Sequence, residues 1–256
     1  MILTADYHTH TKYSHGKGTV YENALSAKEK GLVELGISDH GFSHPAYGLR
    51  KGKVLAYAND CKKASAQTGV KVLVGIEANV ISTDGSVDLT PKFYDNFDIF
   101  FAGIHKFVLY KPNGFFPLFI GGAVKTFFKT KPSKSVVDAH TKAYINVIKN
   151  NPIDAITHLN YGAFANVTEV AKACADYGTY LELNSKKVHL TDEEIYKVLQ
   201  TGVRFIISSD AHSPNRIAEI KIVEEMLKRV NFPLDRIDNI NGKLPNFRFK
   251  RFKEGK

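Results

Sequence analysis

Val33-Glu34-Leu35-Gly36-Ile37-Ser38, the segment 51–68, and Lys71-Val72-Leu73-Val74-Gly75-Ile76-Glu77-Ala78 decide the fold. The outer two runs are short and largely apolar, whereas the middle segment repeats its apolar residues at helical spacing. Strand, helix, strand with near-continuous apolar strands is the mark of a βαβ unit around a parallel sheet. The same alternation spreads outward in both directions. Further strands are expected at 2–7, 97–102, 155–157, 179–183 and 204–208, with helices at 20–30, 134–149, 167–177, 192–201 and 215–228. Thr191-Asp192-Glu193-Glu194 supplies a helix cap with early acids, and Gly178 and Gly202 supply helix stops. About seven such units favour an α/β barrel over an open sheet. No linker divides the chain, so 1–256 reads as a single domain. Two segments stand outside the pattern: an insertion at 107–133 rich in Phe, Gly and Lys, and a basic tail at 243–256.

Composition narrows the class of partner. The 256 residues carry 35 Lys+Arg against 26 Asp+Glu, a formal charge of +9, which favours anionic partners without choosing among metabolites, nucleic acid and membrane surfaces. Cys61 and Cys174 are far apart and form no CxxC pair, which argues against a disulfide framework and for a reduced setting. The first residues, Met1-Ile2-Leu3-Thr4-Ala5-Asp6, show no charged segment followed by an apolar run, so no signal peptide and a cytoplasmic location are expected. The stretch 115–128 is broken by Pro117, Gly121, Gly122 and Lys125 and is too short to span a bilayer.

The histidines carry the chemistry. His8 and His10 follow the first strand, and residues i and i+2 of an extended segment point to one side, so both imidazoles can reach one metal ion. His15 lies in the loop beyond. His40 ends the second strand, Glu77 the third, His105 the fourth and His158 the fifth, while Asp210 and His212 follow the seventh. In a parallel barrel these strand ends share one face, where barrel enzymes place their chemistry. Unrelated capping histidines would not gather seven of ten on one rim.

His8-Thr9-His10, His15-Gly16, Ser38-Asp39-His40, Gly75-Ile76-Glu77, His105, Thr157-His158 and Ser209-Asp210-Ala211-His212 resemble, in order, the motifs of the PHP (polymerase and histidinol phosphatase) superfamily. The resemblance runs from Asp6 to about Pro233, and Phe232-Pro233 is similar to the ending of the small stand-alone bacterial phosphatases of that superfamily. It implies a distorted (β/α)7 barrel with three divalent metals, zinc, manganese or iron. His8, His10, Glu77 and Asp210 would hold the first. Glu77 would bridge to a second, held by His105 and His158, and His15, His40 and His212 would hold the third.

The implied reaction is hydrolysis of a phosphomonoester by a metal-bridging hydroxide. Asp39 would orient a ligand histidine or shuttle a proton, and Arg50, beside Lys51, would contact phosphate. His44 and His189 are candidates for substrate contact, whereas His140 reads as a surface residue of a helix.

Two other enzymatic readings share these motifs. One is a 3′–5′ exonuclease or phosphodiesterase, for which Phe247, Phe249 and Phe252 in the basic tail could stack on a nucleic acid strand, although a disordered charged terminus is the simpler expectation. The other is histidinol-phosphate phosphatase, with the 107–133 insertion forming the substrate pocket; that insertion also suits a lid, an oligomer contact or a membrane-surface patch. Replacing Glu77 with Ala tests the bridging role: metal analysis should show loss of more than one equivalent together with activity. Loss of a single equivalent with activity intact contradicts it.

Overall fold

The computed structural model describes residues 1–121 and 131–255. Seven parallel strands, β1 (Ala5–Thr9), β2 (Glu34–His40), β3 (Lys71–Asn79), β4 (Ile99–Gly103), β5 (Ala155–Ile156), β6 (Tyr180–Asn184) and β7 (Phe205–Ser208), pair in sequence order. Around them run α1 (Val20–Glu29), α2 (Val54–Thr68), α3 (Lys134–Asn150), α4 (Val167–Tyr177), α5 (Asp192–Leu199), α6 (Lys221–Arg229) and α7 (Arg248–Lys253). Local chemistry sets their ends. Thr19 with Glu22, and Thr191 with Glu194, close reciprocal capping boxes at α1 and α5, and Gly178 takes a left-handed φ of 66° to stop α4.

The ring is closed by side chains more than by backbone. Between β7 and β1 the direct link is a single bridge, Thr9 to Ala211, with the His10 N–H donating to the Ala211 carbonyl at 2.8 Å. Lower down, Asn239 fills the gap. Its amide donates to the carbonyls of Ala5 (2.8 Å) and Ile207 (2.6 Å) and accepts from the Ile207 N–H (2.9 Å). The buried Asp6 carboxylate accepts from Ser209 Oγ (2.5 Å), Ser209 N (3.1 Å) and Ala218 N (3.0 Å). The last of these corrects one expectation. The helix expected at 215–228 begins only at Lys221, because Ala218 gives its N–H to Asp6 with φ at 58°. Pro214–Arg216 forms a 3-10 turn instead.

The barrel interior is filled by Ala5, Tyr7, Ile99, Phe101, Ala155, Tyr180 and Ile206. Phe247 enters this cluster, its ring 4.9 Å from Tyr7, 6.0 Å from Tyr180 and 6.1 Å from Phe101. Over its described residues, up to 255, the basic tail is therefore no disordered terminus: Phe247 and α7 seal the end of the barrel where the strands begin. Phe249 is fully buried against Phe100 (5.5 Å) and Tyr94 (5.1 Å), leaving Phe252 as the exposed phenylalanine of the three. Apolar burial of this kind outweighs the preference of the neighbouring charges for solvent, since Arg248 and Lys253 donate to carbonyls of Ile148 and Phe97 at the rim of the seal.

Within the insertion, Pro112–Gly114 forms a turn and Phe115–Ile120 a π-helical turn, with Leu118 buried in the main core. Phe127, Phe128, Lys125 and Lys129, which belong to the part of the insertion expected to suit a lid or patch, lie outside the described residues. Among the described residues no helix is long and apolar enough to cross a membrane.

Asp154 holds the seal to the barrel, its two oxygens accepting from Phe249 N (2.7 Å) and Phe100 N (2.9 Å). Full burial raises its pKa to about 7, the two backbone donors opposing. The folded state therefore binds a proton that the unfolded state releases at lower pH, so this group's contribution to stability is present at acid pH and falls as pH rises from about 4 to about 7. Denaturant titrations of metal-free wild type and Asp154→Asn should show the wild-type stability, relative to the variant, declining across that window. A pH-independent difference contradicts the assignment.

Candidate metal centre

Alternation along the strands aims the polar residues. On β4, β6 and β7 every second residue faces inward: Ile99 and Phe101 lead to Gly103, Tyr180 leads to Glu182, and Ile206 to Ser208 and then Asp210. Each strand is apolar deep in the barrel and polar at its carboxyl end. β1 departs from strict alternation. Its register with β2 slips by one residue between Asp6 and Thr9, so that Tyr7, in the interior cluster, and His8, beside Glu77, both turn inward. The bulge turns an apolar strand toward the candidate metal centre within one residue.

Glu77, fully buried, is the centre of the cluster. Its Oε2 lies 2.9 Å from His40 Nδ1, 3.3 Å from His8 Nε2 and 3.8 Å from His10 Nε2. Its Oε1 lies 2.7 Å from His158 Nε2 and 3.1 Å from His105 Nε2. The Nε2 atoms of His8 and His10 are 3.1 Å apart, and Asp210 Oδ1 is 3.3 Å from His10 Nε2 and from His212 Nδ1. His15 stacks on His40 (ring centroids 4.9 Å apart) and meets His212 at 4.3 Å. All nine candidate ligands thus gather in one cluster. Three groups within it could each hold an ion: His8, His10 and Asp210; His40, Glu77 and His105; and His10, His40 and His212. His40 turns toward Glu77 as well as toward His15, so the second and third groups overlap more than the sequence suggested.

The donor set fits divalent metals. Glu77 Oε2, Asp210 Oδ1 and His40 Nδ1 are buried without hydrogen-bond partners although other polar atoms crowd them, so they converge on shared points rather than on one another. Tetrahedral ligands about 2.0–2.1 Å from an ion stand about 3.3 Å apart, the spacing seen here. Protonation also suits ligation. Burial, with His40 and His212 nearby, holds His10 well below the usual imidazole range; burial brings His40 down to about 3 and His15 to about 4. Burial would raise Glu77 and Asp210, but the surrounding imidazoles outweigh it and keep both carboxylates ionised. His8 and His158 are the exceptions: burial opposes a charge on each, yet Glu77 and Glu182 draw the pKa of His158 up and that of His8 well up. The positive charge those carboxylates favour is one that a cation at Nε2 supplies as well.

Two further observations mark the site. His158 (φ 27°) and Asp210 (φ 50°) adopt left-handed backbone conformations, uncommon outside glycine and costly unless the surroundings enforce them. Asp39 is buried and accepts from Thr11 N (2.7 Å), Thr11 Oγ1 (2.5 Å) and Ser14 Oγ, fixing the loop that carries His15. It approaches His10 Nδ1 at 3.9 Å.

Arg50 is not brought to the centre. Its guanidinium donates to the Pro45 carbonyl, and it lines a separate outer groove with Lys12, Tyr13 and Lys53. His140 is buried rather than on the surface, accepting from Phe164 N at 2.8 Å and facing the Pro117 carbonyl at 3.0 Å. His44 and His189 line the cavity over the cluster, as do Tyr47, Lys106, Phe107, Tyr161, Lys186 and Lys187; its volume is about 450 Å³.

Glu182 lies outside the motifs that mark the site in the sequence. This buried carboxylate meets His8 Nδ1 at 2.6 Å and accepts from the His158 N–H at 2.7 Å. An acid two residues beyond Tyr180 on an otherwise apolar strand was the available signal. Thr157, whose hydroxyl donates to Glu77 Oε1 at 2.8 Å, and Lys186, whose Nζ is 3.5 Å from Asp210 Oδ1, join the cluster as well.

A parallel barrel with buried imidazoles and carboxylates at the carboxyl ends of its strands defines a metal-dependent hydrolase. A family model described as PHP domain matches residues 6–186, and the chain belongs to that family. It is 31% identical over 248 residues to a "probable phosphatase" of Vibrio vulnificus, covering 93% of this chain and 89% of that protein. It is 28% identical over 265 residues to a "probable phosphatase" of Acetivibrio thermocellus, covering 99% and 98%. In fold it is similar to the histidinol phosphate phosphatase of Lactococcus lactis, whose structure was solved with zinc, L-histidinol and phosphate; the TM-score is 0.60 at 16% identity, covering 91% of this chain and 95% of that one. The chain is accordingly a metal-dependent phosphoesterase, a hydrolase of phosphoric ester bonds.

Glu182→Gln keeps the shape of the side chain and removes the charge that steadies His8. Metal affinity should fall by roughly 10–100-fold, read by competition with a chromophoric chelator. An unchanged affinity overturns the orienting role.

Proposed function

We propose that the chain hydrolyses a small phosphomonoester at a trinuclear centre of zinc, manganese or iron. The supporting observation is the division of Glu77: one oxygen faces His8, His10 and His40 and the other faces His105 and His158. A carboxylate shared in this way suits two neighbouring ions. His8, His10, Glu77 and Asp210 would hold the first, Glu77, His105 and His158 the second, and His15, His40 and His212 the third. When bound, such ions lower the pKa of water and neutralise charge developing on phosphoryl oxygens.

The chain's own groups prepare the rest. Glu182 fixes the ring of His8, and Thr157 fixes one oxygen of Glu77. Lys186, beside Asp210 and His212, is placed to bind a non-reacting phosphoryl oxygen, the part first given to Arg50. Asp39 sets the loop of His15 and, through it, one wall of the centre.

A small substrate is favoured over a nucleic acid strand because the aromatic residues of the tail are committed elsewhere. Phe247 and Phe249 are buried at the far end of the barrel from the cavity. The test is metal analysis followed by assay of the reconstituted protein on phosphomonoesters, phosphodiesters and single-stranded DNA. Hydrolysis should be confined to phosphomonoesters, vanish on chelation and return with metal. Activity that survives complete metal removal overturns the mechanism, and preference for DNA ends overturns the substrate class.

A further inference from the structure

The cavity above the metal cluster has a one-sided charge. Of its described lining residues only Glu77 and Asp210 are acidic, and both are occupied with the histidines. Three lysines line the same space: Lys106 from the loop after β4, and Lys186 and Lys187 from the loop after β6. Lys186 stands apart from the other two, with Nζ 3.3 Å from His212 Nδ1 and 3.5 Å from Asp210 Oδ1, beside the place where the phosphoryl group must sit.

Lys106 and Lys187, unlike Lys186 with Asp210, make no ion pair among the described residues. Lys106 is also held in place. Its stem lies along Gly162, where an added Cβ would stand 3.1 Å from Lys106 Cε, and the next residue, Phe107, has the left-handed φ of 60°. Like charges gathered over one cavity disfavour each other unless an anion joins them. The phosphoryl dianion is already met by the metal centre and Lys186, which leaves two cations beyond what that group requires. The cavity lining also includes the aromatic residues Tyr47, Phe107 and Tyr161.

We propose that the substrate is a small phosphomonoester whose leaving group carries a second anionic group, received by Lys106 and Lys187. This rests on the phosphomonoesterase reading above and adds the chemistry of the leaving group. A cationic leaving group, as in an amino-alcohol phosphate, finds three ammonium groups and no available carboxylate.

The probes are 4-carboxyphenyl phosphate, phenyl phosphate and 4-(aminomethyl)phenyl phosphate, which share one ring and one scissile bond. With the metal-loaded enzyme, kcat/KM should favour the carboxy over the unsubstituted compound by about tenfold, the size of one charge-assisted hydrogen bond. The aminomethyl compound should fall below both. In the double variant Lys106→Met, Lys187→Met, and at high salt, the carboxy-to-phenyl ratio should drop toward one.

A wild-type ratio of one or less, or a ratio unchanged in the double variant, overturns the proposal while leaving the phosphatase reading intact. Preference for the aminomethyl compound overturns it in favour of a cationic leaving group. Faster hydrolysis of a 5′-phosphorylated dinucleotide than of 4-carboxyphenyl phosphate overturns the small-molecule assignment and moves the second anion to a nucleic acid phosphate. Failure on every compound at full metal content removes the phosphatase reading itself.

Discussion

A carboxylate placed in the middle of a barrel is costly to desolvate, and Glu77 is fully buried. What makes the position tenable is a shell of imidazoles on both of its oxygens, which holds it ionised, together with a hydrogen bond from Thr157. The imidazoles in turn are mostly kept neutral by burial and by one another. The result is an excess of lone pairs pointed at common centres, an arrangement that water cannot satisfy in so little space and that divalent cations can. The rest of the architecture serves this constraint. Each strand must be apolar for most of its length and then deliver one polar side chain at the right height.

The barrel meets that demand with small departures from regularity. A bulge in β1 turns two successive residues inward. Left-handed backbone at His158 and Asp210 re-aims two candidate ligands just past their strands. The seam between β7 and β1 gives up most of its backbone ladder and is stitched by Asp6 and Asn239 instead. Each irregularity lies within or beside a segment that carries a candidate ligand, where packing from the surrounding strands can hold it.

At the other end the demands are purely apolar. Phe247 completes the interior layer of Tyr7, Phe101 and Tyr180, and Phe249 packs outside it. The tail looked like solvated charge because its lysines and arginines alternate with phenylalanines over a span too short for periodicity to show a buried face. Only the open mouth of the barrel tells the phenylalanines where to go. Arg50 failed for the converse reason. It follows His40 by ten positions in the chain, yet the loop between carries it outward to Pro45.

The sequence by itself determined the seven strands, their parallel order and the gathering of nine candidate ligands at their carboxyl ends, because period and residue type are local properties that strand ends inherit directly. It also carried the family likeness, since the motifs are short and lie within single strands and their following loops. Tertiary structure decided which partners those residues meet. Glu182 behind His8, Lys186 beside Asp210, Lys106 over Gly162 and the sealing of the barrel by Phe247 each join segments far apart in the chain. Contacts of that kind leave no local pattern, because the distance that creates them is spanned only when the barrel closes.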